Sequence, residues 1–270
     1  MGQTSGLTRE VFTLVNLLPH PTFRDPSVSP PGPTAAEALP REVVERNREL
    51  VHKYGPKLFD APASVILEWA RDHAPGPLVV TLSMENTVLA ELAHRHLPGA
   101  EFLFLDTEYH FPETLEVAAQ VERRYPGHRL VRATAQLTRA EQDEVYGPSL
   151  YLREPGACCR MRKVEPLAVH MSPYVGWVTG VRRADGPTRA DAPAVSLDST
   201  GRLKISPLVT WSLDDTAVFE KDNDLIVHPL TRQGYPSIGC ATCTQPVAEG
   251  EDPRAGRWAF AAKTECGLHE

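Results

Sequence analysis

"PLVVTLSMENTVLAELAHRHLPGAEFLFLD", residues 77–106, holds two short apolar runs separated by a stretch of helical periodicity. PLVVTL (77–82) and EFLFLD (101–106) are too short for helices and are apolar almost throughout, which is how strands buried on both faces read. NTVLAELAHRH (86–96) repeats its apolar residues at helical spacing. Two buried strands bridged by one helix predict parallel pairing through a right-handed crossover.

The alternation continues on both sides. PETLEVAAQVERRY (112–125) predicts a helix opening on Pro112, HRLVRA (128–133) a third strand, and YVGWVTGV (174–181) another strand of the same sheet. Upstream, REVVERNRELVHKYG and ASVILEWARDHA predict two amphipathic helices, the first ending at Gly55-Pro56. KISPLVTW leads into a helix starting near Ser212, where SLDD supplies a cap and early acidic residues. The fold class is therefore α/β, a mostly parallel sheet flanked by helices. Residues 1–40, Pro-rich from residue 19, read as a flexible leader, and 41–233 as the α/β domain. Residues 234–270 read as a cysteine-bearing C-terminal tail of that domain, wrapped over the sheet.

At 270 residues, 41% hydrophobic and 23% charged, the chain has the composition of a soluble globular protein. A net charge of −7 argues against bulk nucleic-acid binding while leaving room for a local anion site. No run approaches the roughly 20 apolar residues a membrane helix needs. The N-terminus lacks the pattern of a secretory signal, so a cytoplasmic protein with no membrane or nucleic-acid partner is expected.

Five cysteines carry the chemistry. Cys158 and Cys159 are adjacent, and Cys240-Ala-Thr-Cys243 follows after 80 intervening residues. Adjacent cysteines seldom form a disulfide with each other, because the small ring strains its geometry. In a reducing compartment such sets serve more often as metal or cluster ligands than as buried thiols. Neighbouring cysteines diverge awkwardly around one tetrahedral zinc ion, whereas two of them can take different corners of a [4Fe–4S] cluster. The cluster is favoured over zinc. Cys266 stands apart in KTECGLHE, a tail too polar and glycine-rich to bury it. It reads either as a tolerated exposed cysteine or as a nucleophilic thiolate aided by nearby positive charge. His269 could add to that charge and Glu265 opposes it.

LSMENTVLAELA (82–93) places polar residues where a helix begins after a strand, a position suited to phosphate and equally that of an ordinary capped turn. It has no GxxxxGK[ST], so a Walker-type loop is not supported. Three basic clusters, RMRK (160–163), TGVRRADGPTRA (179–190) and DPRAGRW (252–258), are candidate oxyanion contacts when taken beside the cysteines, though each alone would pass for a solvated surface.

Taken together, SMENTVL, FLDTEYHFPET, CCRMRKVEPL, WVTGVRRADGPTRA, QGYPSIGCATCTQPVAEGEDPRAGRW and the terminal ECGLH resemble the assimilatory adenylyl-sulfate reductases, the iron–sulfur branch of the phosphoadenylyl-sulfate reductase family. The resemblance runs from about Leu78 to His269. SMENTVL differs from the more glycine-rich SGG-type loop of that family. The resemblance implies an adenine nucleotide α-hydrolase-like fold and reduction of adenosine 5′-phosphosulfate to sulfite and AMP, with thioredoxin or glutaredoxin as reductant, in sulfate assimilation and cysteine biosynthesis. It implies that Ser83, Asn86, Thr87, Asp106 and Thr107 surround the nucleotide and that Gly180 and Arg189 line the same pocket. Lys163, Arg254, Arg257 and His269 would face the phosphosulfate. Cys158, Cys159, Cys240 and Cys243 would hold a [4Fe–4S] cluster, and Cys266 would be the catalytic cysteine. The same reaction on 3′-phosphoadenosine 5′-phosphosulfate, or a non-catalytic zinc or iron–sulfur nucleotide-binding module, are the alternatives. A homo-oligomer is left open.

Overall fold

A computed structural model of the chain describes residues 23–26 and 38–268. Most of the expected leader, residues 1–22 and 27–37, lies outside them, as does His269. The strands are β1 (Leu78–Leu82), β2 (Glu101–Asp106), β3 (Leu130–Thr134), β4 (Gly176–Val178), β5 (Val195–Leu197) and β6 (Leu203–Ile205). They form one sheet in the order β3-β2-β1-β4-β6-β5, parallel except for β5 against β6. The apolar runs that predicted β1 and β2 pair in register, Val80 beside Phe102 and Leu82 beside Phe104.

Strand alternation divides the core into two layers. Leu78, Val80, Leu82, Phe102 and Phe104 pack with α1 (Arg41–Leu58), α2 (Ala63–His73), α3 (Val88–His96) and α4 (Pro112–Arg124). Val79, Leu103, Ala133 and Trp177 face the other way, toward Met171 and Leu167 of the segment around α8 (Glu165–His170). The first helix does not stop at Gly55-Pro56. It runs on to Leu58, because a proline in the last turn removes only one ladder bond and Leu58 gains a buried place in the core. Three short helices, α5 (Arg139–Tyr146), α6 (Leu150–Arg153) and α7 (Pro155–Cys159), and strands β5 and β6 carried too few apolar repeats to be read from the sequence. The helix α9 (Leu213–Asp222) begins as expected, with a reciprocal capping box between Ser212 and Asp215.

The strand order reverses between β1 and β4: β2 and β3 extend one way, β4 and β6 the other. At such a switch point the crossovers leave on opposite faces and open a crevice beyond the carboxyl ends of the strands. Gly176 makes that junction tight, since a Cβ there would lie 2.7 Å from the Leu203 side chain and 2.8 Å from its carbonyl oxygen. Gly176→Ala should therefore destabilise the protein by about 1–3 kcal/mol in urea titration, the usual scale for overpacking a strand interior.

Glu91 ties α3 to α4. Burial would raise its carboxyl, but the Tyr125 hydroxyl (2.8 Å), Arg95 (2.7 Å) and Arg124 together hold it below the usual range. A depressed native value adds stability above the unfolded carboxylate value, near 4.3, and that gain is lost as pH falls through the lower native value. The stability gap between wild type and Glu91→Gln, read by urea midpoints, should be largest near neutrality and should close as pH falls toward 3.

Candidate active site

The crevice at the switch point is a cavity of about 1480 Å³, counting its mouth open to solvent. Its floor is built from the ends of β1, β2 and β4. Ser83, Asn86, Thr107 and Gly180 all line it. Thr87 and Asp106 stand in the same turns without lining it. The Thr87 hydroxyl turns inward and donates to the Ile226 carbonyl at 2.9 Å, and Asp106 accepts the Glu108 amide at 3.0 Å, closing its own turn.

The turn after β1 is held in an unusual shape. Met84, fully buried, has a φ of +64°, and Glu85 accepts the Ile238 amide at 3.0 Å. Glu85 thus fastens the C-terminal segment to the strand ends. A second stitch lies beside β2, where the Ala241 amide donates to the Tyr109 carbonyl at 2.7 Å and Thr107 Oγ1 sits 3.3 Å from Cys240 Sγ. The segment also closes on itself: Trp258 N–H donates to the Cys243 carbonyl, and Gln245 N–H to that of Gly256. A Cβ on Gly256 would meet the Gln245 carbonyl oxygen at 2.1 Å, so only glycine lets these two runs approach.

The adjacent cysteines end α7, and the chain then widens into a π-helical turn over Arg160–Val164. Such turns are rare and frequent at functional sites. This one sends the basic cluster in three directions. Arg160 reaches outward to the Pro26 carbonyl at 2.6 Å, Arg162 is buried, and Lys163 lines the cavity. Cys158, Cys159, Cys240 and Cys243 surround a second, smaller cavity, shared with Tyr109, Arg162, Lys163, Arg257 and Trp258. Burial, then the neighbouring thiols, push Cys158 up to about 12. Burial pushes Cys159 up to about 11, against the pull of Lys163. Burial raises Cys243 as well.

The surroundings of the four thiols bear on what could sit between them. Among the described residues, no three Cys, His, Asp or Glu side chains gather tightly enough to hold a single ion. The buried donors Arg162 Nη2, Arg257 Nε and Trp258 Nε1, all beside this cavity, have no hydrogen-bond partner. Cysteines raised by burial together with unmet N–H groups fit a group that brings cations for the sulfurs and anionic acceptors for the donors. Four thiols and three unmet donors around one small cavity are thus the residues that could hold such a group.

Cys266 corrects one expectation. The polar tail does not leave it exposed. It is half-buried against the Cys159, Cys243 and Trp258 cluster and lines the main cavity with Lys163, Arg189, Arg254 and Arg257. Burial would lower Lys163, but Cys240, Cys266 and Cys159 outweigh it and hold the ammonium. Arg257 donates to Ser237 Oγ at 3.2 Å and lies 4.7 Å from the Trp258 ring centroid. Glu265 does not oppose the thiol unscreened: Arg189 contacts it at 2.8 and 2.9 Å and Arg254 at 3.4 Å. Sequence reasoning missed Glu85, Asp185, Ser237, Trp258 and the pairing of Glu265 with Arg189. All five lay inside motifs already singled out, but partners such as Ile238 for Glu85 and Arg189 for Glu265 come from segments distant in the chain.

Comparison with known proteins follows the same lines. A family pattern described as phosphoadenosine phosphosulfate reductase domain matches residues 77–246. The chain is 47% identical over 223 residues to the adenosine 5′-phosphosulfate reductase of Mycolicibacterium smegmatis, covering 82% of this chain and 94% of that protein. It is 46% identical over 226 residues to the protein of the same name from Streptomyces coelicolor, covering 83% and 95%. For the Mycobacterium tuberculosis protein of that name the identity is 51% over 241 residues, covering 82% and 94%. The crystal structure of phosphoadenylyl-sulfate reductase from Candida auris, a phosphate complex, superposes with a TM-score of 0.61 at 22% identity, over 78% of this chain and all of that one. That likeness concerns the fold, and it agrees with the adenine nucleotide α-hydrolase-like arrangement implied by the motifs. With a matched domain pattern across most of the sheet and relatives at about half identity over most of their length, the chain belongs to the phosphoadenosine phosphosulfate reductase domain family.

Proposed function

We propose that this chain is an oxidoreductase that reduces adenosine 5′-phosphosulfate to sulfite and AMP at the expense of a dithiol carrier. The observation that carries the reading is the meeting of Cys266 with Lys163 and Arg257 in the lining of the crevice at the strand ends. The name shared by the relatives supports the substrate. The resemblance to the iron–sulfur branch, carried by the four further cysteines, favours the unphosphorylated ribose.

In this reading Ser83, Asn86, Thr107 and Gly180 would bound the adenosine and its phosphate, with Thr87 and Asp106 shaping the turns that carry them. Lys163 and Arg257 would face the phosphosulfate, with Arg189 and Arg254 at the mouth; the resemblance adds His269, which lies outside the described residues. The Cys266 thiolate attacks the substrate sulfur, an S–S bond forms, and the S–O bond to phosphate breaks. AMP departs with that electron pair, its charge met by fixed cations in a site partly shielded from water. A carrier thiolate of the thioredoxin or glutaredoxin class then attacks Cys266 Sγ. Sulfite leaves with the bonding pair, and the carrier's second thiol resolves the mixed disulfide. Sulfur gains two electrons and two thiols become a disulfide, so the exchange balances. It suits the cytoplasm, where such carriers stay reduced.

Cys158, Cys159, Cys240 and Cys243 would hold a [4Fe–4S] cluster, which when bound would supply a compact charged body that fixes α7 and the C-terminal segment beside Lys163. The segment from Gly234 onward would then be part of the α/β domain, and not a separate one.

Two substitutions test the assignment. Cys266→Ser should abolish sulfite release while iron content and AMP affinity stay at the wild-type level; loss of iron in that variant would contradict the division of roles among the cysteines. Lys163→Ala should lower kcat/KM about 10²–10³-fold in steady-state assays, the scale of removing one preorganised charge contact.

A further inference from the structure

The residue before the proposed nucleophile is an anion held by two arginines of the site. Glu265 takes Arg189 Nε on Oε1 and Arg189 Nη2 on Oε2, at 2.9 and 2.8 Å, the forked geometry in which guanidinium and carboxylate bind most strongly. Thr188 Oγ1 adds a third contact at 3.2 Å. Arg254 Nη2 donates to the Thr264 carbonyl at 2.9 Å and reaches Glu265 Oε2 at 3.4 Å. The remaining Arg189 nitrogen, Nη1, donates to Asp185 at 3.0 Å. Every nitrogen of the Arg189 guanidinium is thus engaged by a carboxylate, and two of the three by the tail.

We propose that Glu265 is a positioning residue: it latches the C-terminal tail onto Arg189 and Arg254 and so seats Cys266 against Lys163 at the cavity wall. The inference rests on the reductase reading for the role of Cys266, and it assigns the two arginines to the tail in the docked state. Lys163 and Arg257, which among the described residues pair with no carboxylate, are then the cations available to a bound oxyanion. The latch is local. Beyond it Gly267 lies beside Val164, and Cys266 packs against the cysteine cluster. Arg189 and Arg254 repel one another, so the carboxylate between them relieves that repulsion and is the natural closing element. Because the pairs are partly exposed ionic contacts, they can open and release the tail to a protein reductant without disturbing the sheet.

Glu265→Gln and Glu265→Asp in the full, iron-loaded chain test this. Without nucleotide, iodoacetamide should alkylate Cys266 about tenfold faster in Glu265→Gln, as read by peptide mass spectrometry, because an undocked tail exposes the thiol. Single-turnover formation of the Cys266 S-sulfonate from adenosine 5′-phosphosulfate should fall about 10–100-fold, with AMP affinity unchanged, the signature of lost positioning. Glu265→Asp, which keeps the charge, should recover part of both effects. Unchanged alkylation and sulfonation rates in Glu265→Gln would overturn the latch, and so would a parallel loss of AMP affinity. If wild-type Cys266 takes no sulfonate from the substrate, the reductase reading fails by itself, and the alkylation comparison still decides the latch.

Discussion

A backbone hydrogen bond from the Ala241 amide to the Tyr109 carbonyl, 2.7 Å long, joins the two halves of the site. One half grows from the ends of β1, β2 and β4. The other is a segment with only a short 3₁₀ turn at Ala241–Cys243 and no strand of the sheet among its described residues. Such a segment buries few apolar side chains of its own, so its place depends on polar contacts with something rigid. Tyr109 and Thr107 at the end of β2, and Glu85 after β1, are that support. Through them Cys240 comes beside Cys158, and the run up to Trp258 and Cys266 follows.

Charge is distributed with the same economy. The chain is acidic overall, yet arginine and lysine side chains from three separate segments meet at one mouth. Left alone they would repel, and Arg254 is indeed lowered, by burial first and by Arg189 next. Glu265 and Asp185 balance Arg189, and the tail carbonyl of Thr264 takes a donor from Arg254. Lys163 stands instead beside sulfur, near Cys240, Cys266 and Cys159. A cavity with two kinds of cation, one set tied to a movable tail and one to a fixed wall, can bind an anion without giving up its nucleophile.

Much of the fold was legible before any coordinates. The apolar runs at 77–82 and 101–106 could bury themselves only as central strands, and the helical spacing at 86–96 and 112–125 required crossovers between them. The limits were equally physical. β5 and β6 are three residues each, below the length at which alternation is readable. The helices around Cys158 are stabilised by contacts such as Arg162 to Gln142 and Glu108, which no local pattern announces. Gly55-Pro56 looked like a stop and was overridden, because the helix gains more from burying Leu58 than it loses from one missing amide.

By itself the sequence determined the parallel α/β layers, since strand and helix periodicities leave few other ways to bury those side chains. It also determined which cysteines come as CC and CxxC pairs and which one is separate in the chain, because residue identity and spacing carry that information directly. Only the tertiary structure decided that Cys266 is half-buried beside Lys163, and that Glu265 grips Arg189. It decided too that Thr87 and Asp106 brace their turns and do not line the cavity. Those outcomes depend on which distant segments meet, and meetings between residues 76 or more positions apart, such as Arg189 and Glu265, are set by the packing of the whole sheet and not by any local run of residues.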